Sequence, residues 1–209
     1  VAGVAQRTGS TVYYLEMAPA DKGTPVFSLA PSQGDLDIVI GAELMETGRA
    51  IMRGFVTPDR TTLIGSTHRV ISIAEKTVPG DGIIGPEEVH AAAEVAAHKL
   101  ILHDLEKVAT ENGSVISASL FGVLAGSGAL PFARQAFEDA IRRSGKGVEA
   151  SLKAFDAGFD IARTGGSAPD DEATEDSKQV IVSVQGPSRL SRKWDGLNAR
   201  VASLPKAVQ

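Results

Sequence analysis

The residues of this sequence best suited to ligand chemistry stand near its start, in Gln6-Arg7-Thr8-Gly9-Ser10. A guanidinium holds its donors in a planar fork that matches a carboxylate or a phosphate. Gly9 and Ser10 would free backbone N–H groups beside it. Arg is an odd choice for a tight turn, although the same side chain could pair with Glu16, with Glu43 or with a partner chain. A second set lies further on. Glu43 opens a helical pattern just past one short apolar run, and Ser66-Thr67-His68-Arg69 ends another. Ligands of open α/β sheets bind beyond the carboxyl ends of the strands. Glu43, Ser66 and Thr67 therefore fall where polar ligand contacts are useful. The plainer alternative is as strong: Glu43 serves the positive end of a helix, and the hydroxyls satisfy a turn.

Two further constellations carry less. Gly80-Asp81-Gly82 followed by Asn112 has the form of the signature whose Asp and Asn hold the Mg²⁺ of thiamine diphosphate, hard oxygen ligands for a hard ion. The preceding Glu-Lys-Thr-Val-Pro is polar where that signature needs a buried strand, so an ordinary turn is favoured. His90, Glu94 and His98 recur at four-residue spacing and could converge on a metal. They flank an apolar face of Val89, Ala92, Ala93, Ala96 and Leu100, which turns them towards water. No Gly-x-Ser-x-Gly elbow, Walker loop or zinc-protease helix occurs, and no Gly-x-Gly-x-x-Gly follows a strand, which argues against a stand-alone dinucleotide-binding domain.

The elements that must position these residues alternate early and turn helical late. Thr11–Met17 and the Val26–Leu29 region read as strands, Leu36–Ile40 and Thr61–Thr67 as buried strands, and His68–Ile73 as a shorter one. Gly41 is expected to make a tight turn into a helix striped with Leu44, Ile51 and Met52. Pro86 suits a first helical position, with Glu87 and Glu88 in the first turn. Leu100–Asp104 is expected as a strand, then a short helix stopping near Asn112-Gly113. Ser114–Leu124 is apolar almost all round, hence a buried helix, and its small residues would let another backbone come close. Pro131 is expected to start the next helix, and Val148, Leu152, Phe155 and Phe159 stripe a third. The expected class is α/β, a layered domain with a mostly parallel sheet and helices concentrated in the C-terminal half. It spans 1–163, followed by an acidic flexible linker at 164–179 and a strand/helix extension at 180–209.

The chain has 209 residues, 43% hydrophobic, with a net charge of −5. No Lys/Arg cluster is dense enough for nucleic acid; Arg142 and Arg143 suit a helix end instead. No apolar run is long enough for a membrane span, and the expectation is a soluble, cytoplasmic protein. With no Cys, the chain cannot hold an iron–sulfur cluster through thiolates.

Three stretches in order resemble a known family. Gly3–Met17 (GVAQRTGSTVYYLEM) is similar to the Ala-Gln-Arg-Gly-Gly segment in the gamma domain of the pyruvate:ferredoxin and related 2-oxoacid:acceptor oxidoreductases. Asp37–Val70 and Asn112–Arg143 resemble the strand–helix–strand and helical parts that follow in that domain. The Thr8-Gly9 variant with Tyr-Tyr-Leu-Glu is most similar to beta-type chains of the indolepyruvate branch. The resemblance implies an accessory component of an enzyme that oxidatively decarboxylates a 2-oxoacid, here an aryl pyruvate, to an acyl-CoA with electrons passing to ferredoxin. It implies that this chain binds no cofactor itself. Thiamine diphosphate, Mg²⁺ and iron–sulfur clusters belong to partner domains of an alpha subunit, and CoA is a co-substrate. It implies no catalytic residue here, and a ligand or interface turn at Gln6, Arg7, Thr8, Gly9 and Ser10 with Glu43, Ser66 and Thr67 beside it. A homo-dimer is compatible with it. Relatives have a strand and a Gly-rich turn before the Ala-Gln-Arg motif, so the first strand is expected to be missing here. Thr8 stands where many relatives have Gly.

Overall fold

A computed structural model of the chain describes residues 12–70 and 85–165. All of them lie in the first of two compact units, Val1–Ala168; the second, Pro169–Gln209, lies outside them, as does nearly all of the expected linker and the whole extension.

Three short apolar runs become the strands β1 (Ile38–Gly41), β2 (Thr62–Ser66) and β3 (Lys99–His103). They pair in parallel in the order β1-β2-β3. The register sets Val39 beside Leu63 and Leu63 beside Leu100, then Ile64 beside Ile101. Side chains alternate across a strand, so Val39, Leu63 and Leu102 pack on one face and Ile64 and Ile101 on the other. Burial on both faces is why the middle run reads as continuously apolar: every residue of β2 is buried.

Helices α1 (Leu44–Met52) and α2 (Pro86–Ala96) cover the first face through Ala50, Ile51, Ala93 and Ala96. Helix α3 (Leu105–Glu111) follows β3. Helices α4 (Ile116–Ser127) and α6 (Val148–Thr164) cover the second face through Leu120, Val123, Ile161 and Ala162. Helix α5 (Arg134–Ser144) lays Phe137 and Ile141 against Phe155 of α6.

Helices α4 and α6 meet backbone to backbone. A Cβ at Gly122 would lie 2.0 Å from the Phe155 carbonyl oxygen. One at Gly158 would lie 2.2 Å from the Ser119 carbonyl oxygen, and one at Gly126 2.5 Å from that of Phe159. Only hydrogen fits at these points. The small residues of α4 thus do what the sequence suggested. Helix α4 runs to Ser127, so the Gly-rich Val123–Gly128 stretch is its last turn, closed by Gly128 at φ +71°. Lys99 Nζ donates to the Ser127 carbonyl at 2.8 Å, a cation on a helix C-terminus.

The α5–α6 contact has a polar lock. The Arg134 guanidinium lies 4.5 Å from the Phe159 ring centre and pairs with Glu138 at 2.8 Å and Asp156 at 2.6 Å. Arg142 pairs with Glu138 and Asp139, both at 2.9 Å. Hydrogen bonds from Arg134 and then Arg142 hold the Glu138 carboxyl below its ordinary range.

Several expectations are corrected. Among the described residues, neither Val12–Met17 nor Val26–Leu29 is a strand. Neither has a ladder, and Tyr13, Leu15, Val26 and Leu29 are largely exposed: β-propensity does not make a strand without a paired neighbour. His68–Val70 are not strand either; the rest of that stretch lies outside the described residues. Gly41 makes no left-handed turn; it ends β1, and its missing Cβ admits Thr47 of α1. Helix α5 starts at Arg134, with Ala133 as its cap, rather than at Pro131. Ala92 is exposed, and Leu100 belongs to β3 rather than to the α2 face.

Gly122→Ala is expected to lower stability by about 1–3 kcal/mol in urea unfolding, because the added methyl must push α6 away. Gly145→Asn, at a left-handed position with open space around it, is expected to cost far less. Glu138 supplies a pH test. Its lowered carboxyl contributes stability that is present above the ordinary carboxylate pKa and lost as pH falls through the lowered value. Glu138→Gln should therefore be less stable than the parent at neutral pH, and the gap should close in acid.

Candidate functional site

The carboxyl edge of the sheet gathers the two acids, two hydroxyls and two imidazoles that the strands deliver to it. Glu43 is the residue before α1, in extended conformation. Its Oε2 accepts from Met45 N at 3.0 Å and its Oε1 from Glu46 N at 2.7 Å. The remaining first-turn donor, Leu44 N, is taken by the His68 carbonyl at 3.1 Å. The free N–H groups that make a helix N-terminus an anion site are thus satisfied from within. Helix α1 sits close to the strand ends because Gly41 and Gly65, neighbours in register, have no Cβ. A Cβ would lie 2.1 Å from the Thr47 hydroxyl oxygen at the first and 2.8 Å at the second.

Ser66, fully buried at the end of β2, does the same for α3. Its Oγ accepts from Leu105 N at 3.0 Å and lies 2.7 Å from His68 Nδ1. The Leu105 carbonyl accepts from the buried Ser119 hydroxyl of α4 at 2.7 Å. Asp104 Oδ1 accepts from Lys107 N at 2.9 Å. Thr67 is half-buried, and its N–H extends the ladder to the His103 carbonyl at 3.0 Å. His103 Nδ1 is buried and has no hydrogen-bond partner.

Glu43, Ser66 and Thr67 are therefore brought to one edge, joined through His68. Glu43 and Ser66 are both engaged with helix N-termini. Gln6, Arg7, Thr8, Gly9 and Ser10 lie outside the described residues. His103 and Asp104 went unnoticed as site residues. Their signal was present, since they follow the apolar run Leu100–Leu102 as Ser66 follows Leu63–Gly65. The starts of α1 and α3 do not suit the phosphates of a dinucleotide, because they already hold the protein's own oxygens.

The metal ligands considered from the sequence are not assembled among the described residues. Asn112 Nδ2 donates to the Val108 carbonyl at 2.8 Å, capping α3 rather than facing a metal, and Gly80-Asp81-Gly82 lies outside the described residues. Glu94 is exposed, while His98 lies beyond the end of α2 with its Nδ1 3.2 Å from the Pro58 carbonyl. No group of three His, Cys, Asp or Glu among the described residues could hold a metal. No single described helix is long and apolar enough to cross a membrane.

The capping role of Glu43 is measurable. Glu43→Ala is expected to lower stability by about 1 kcal/mol in denaturant unfolding, with Glu43→Gln losing less because it keeps an acceptor oxygen. Unchanged stability in Glu43→Ala would contradict the cap.

No curated protein and no solved structure matches the chain significantly. The model of the family described as "Pyruvate ferredoxin/flavodoxin oxidoreductase" matches residues 1–161. That match takes in the three strands, all of α1 to α5 and nearly all of α6, so it spans the sheet and the edge described above. The chain belongs to the pyruvate ferredoxin/flavodoxin oxidoreductase family.

Proposed function

We propose that the chain is the gamma-type domain of a 2-oxoacid:ferredoxin oxidoreductase, inactive alone, whose substrate is an aryl pyruvate such as indolepyruvate. The observation that carries this reading is the family match over residues 1–161. In this reading the partner is a cytoplasmic alpha subunit that holds thiamine diphosphate, Mg²⁺ and the iron–sulfur clusters. The lack of cysteine agrees with clusters held elsewhere. Thiamine would supply the carbanion chemistry in that subunit, and no residue of this chain is given a catalytic role. CoA enters as co-substrate. The Gln6–Ser10 stretch, with Arg7 as its cation, is the proposed contact for its anionic part, since the N-termini of α1 and α3 hold internal carboxylates and a hydroxyl.

A second reading is a purely structural module that assembles other chains. It is favoured by the segment before β1. There Tyr13, Leu15, Met17, Val26, Phe27 and Leu29 are all more than half exposed, and apolar surface left open in this way suits a protein partner. The segment has one local tie. The Glu16 carboxylate accepts from the Tyr14 hydroxyl and from Ser28 N at 2.8 Å, and the first of these bonds pushes the Tyr14 phenol up to about 12.

The test is reconstitution with the thiamine-bearing subunit, indolepyruvate or pyruvate, CoA and ferredoxin. Ferredoxin reduction that requires this chain, faster with the aryl substrate, is the expected result. Failure of every 2-oxoacid to reduce ferredoxin would contradict the reading. Calorimetry with CoA separates the two readings: binding that Arg7→Ala abolishes supports the first, and no binding supports the second.

A further inference from the structure

The carboxyl edge holds one imidazole whose tautomer its neighbours dictate. Ser66 Oγ is fully buried and accepts from Leu105 N, a group that can only donate. The Ser66 hydroxyl hydrogen then needs an acceptor, and His68 Nδ1 lies 2.7 Å away. Were Nδ1 protonated, Ser66 Oγ would accept two bonds and leave its own hydrogen buried without a partner, which is costly. Ser66 therefore donates to Nδ1, and the proton of neutral His68 sits on Nε2. The Nε2–H makes no hydrogen bond with any described residue, and the His68 side chain is only half-buried. The His68 carbonyl is tied to Leu44 N, so backbone and ring are both held.

The surroundings favour an uncharged guest. The Glu43 carboxylate stands in the helix turn that His68 caps, and the Asp104 carboxylate at the start of α3. Two carboxylates repel a phosphate or carboxylate, and the neighbouring cation, Arg69, already has an interaction of its own, whereas a carbonyl oxygen accepts from a neutral N–H with no charge to balance.

We infer that His68, held by Ser66 as its positioning residue, is a binding residue that donates Nε2–H to an amide or thioester carbonyl at the carboxyl edge of the sheet. The ligand class deepens the functional reading above, and on that reading the carbonyl belongs to the uncharged arm of an acyl carrier such as CoA. The donor geometry itself rests only on Ser66, Leu105 and His68.

The test is long-range ¹⁵N NMR of the imidazoles in the labelled full chain, with pantetheine, an uncharged diamide thiol, and inorganic phosphate as separate probes. The expected spectrum has His68 bare at Nδ1 and protonated at Nε2. Millimolar pantetheine should move the Nε2 signal saturably, and phosphate should not. His68→Phe should weaken pantetheine binding, read at the Thr67 amide, about tenfold, as loss of one hydrogen bond of about 1.4 kcal/mol requires. His68→Gln, which keeps a donor, should bind nearly as the parent does. Ser66→Ala should mix the tautomers. Where that variant does not fold, Ser66→Thr, which keeps the hydroxyl, should retain the parent tautomer. A parent spectrum with Nδ1 protonated, a shift by phosphate alone, no shift by pantetheine, or undiminished binding in His68→Phe overturns the inference. These readouts need no turnover, so a complex that fails to reduce ferredoxin while pantetheine still moves His68 counts against the functional reading alone.

Discussion

The hydroxyl of Ser66 is the point at which strand, helix and edge are joined. It ends β2, the strand buried on both faces, and takes the first N–H of α3. The Ser119 hydroxyl of α4 takes the carbonyl of the same residue, Leu105. One backbone unit is thereby held at both polar atoms by two buried serines, in a place where an unmade bond is costly. That clamp sets where β3 turns into α3 and how α4 lies over the sheet. The α4–α6 contact then follows from Gly122, Gly126 and Gly158, whose missing side chains let the two backbones touch.

The same hydroxyl shapes what the edge can do. A parallel sheet with helices after its strands would ordinarily offer N–H groups to an anion. At α1 and α3, Glu43, Asp104, Ser66 and the His68 carbonyl occupy them, whereas α2 starts at Gly85 with no side-chain cap. The starts of α1 and α3 are therefore not phosphate cradles.

Much of the fold was legible because its signals are local. The runs ending at Ile40, Ser66 and His103, the Pro86 helix start, the stop at Asn112-Gly113 and the stripe of Val148, Leu152, Phe155 and Phe159 each follow from a few adjacent residues. What was misread depends on neighbours distant in sequence. Tyr13–Met17 has strand residues but no ladder among the described residues. Gly41 was read as a turn because nothing local says that Thr47 needs the space. The edge was half legible. The positions of Glu43, Ser66 and Thr67 followed from strand ends, but the engagement of Ser66 with Leu105, 39 residues away, is tertiary. His103 and Asp104 carry the same signal, following Leu100–Leu102 as Ser66 follows Leu63–Gly65.

The central claim is that the first-turn N–H groups of α1, and those of Leu105 and Lys107 in α3, are filled by the protein's own oxygens before any ligand arrives. Amide hydrogen exchange of the full chain without ligand measures this at Met45, Glu46, Leu105 and Lys107. The account predicts protection at all four, slowest at Leu105 because its acceptor is fully buried, and no change on adding a nucleotide. Exchange at unprotected rates in the free chain, slowing when a nucleotide or phosphate is added, would contradict it.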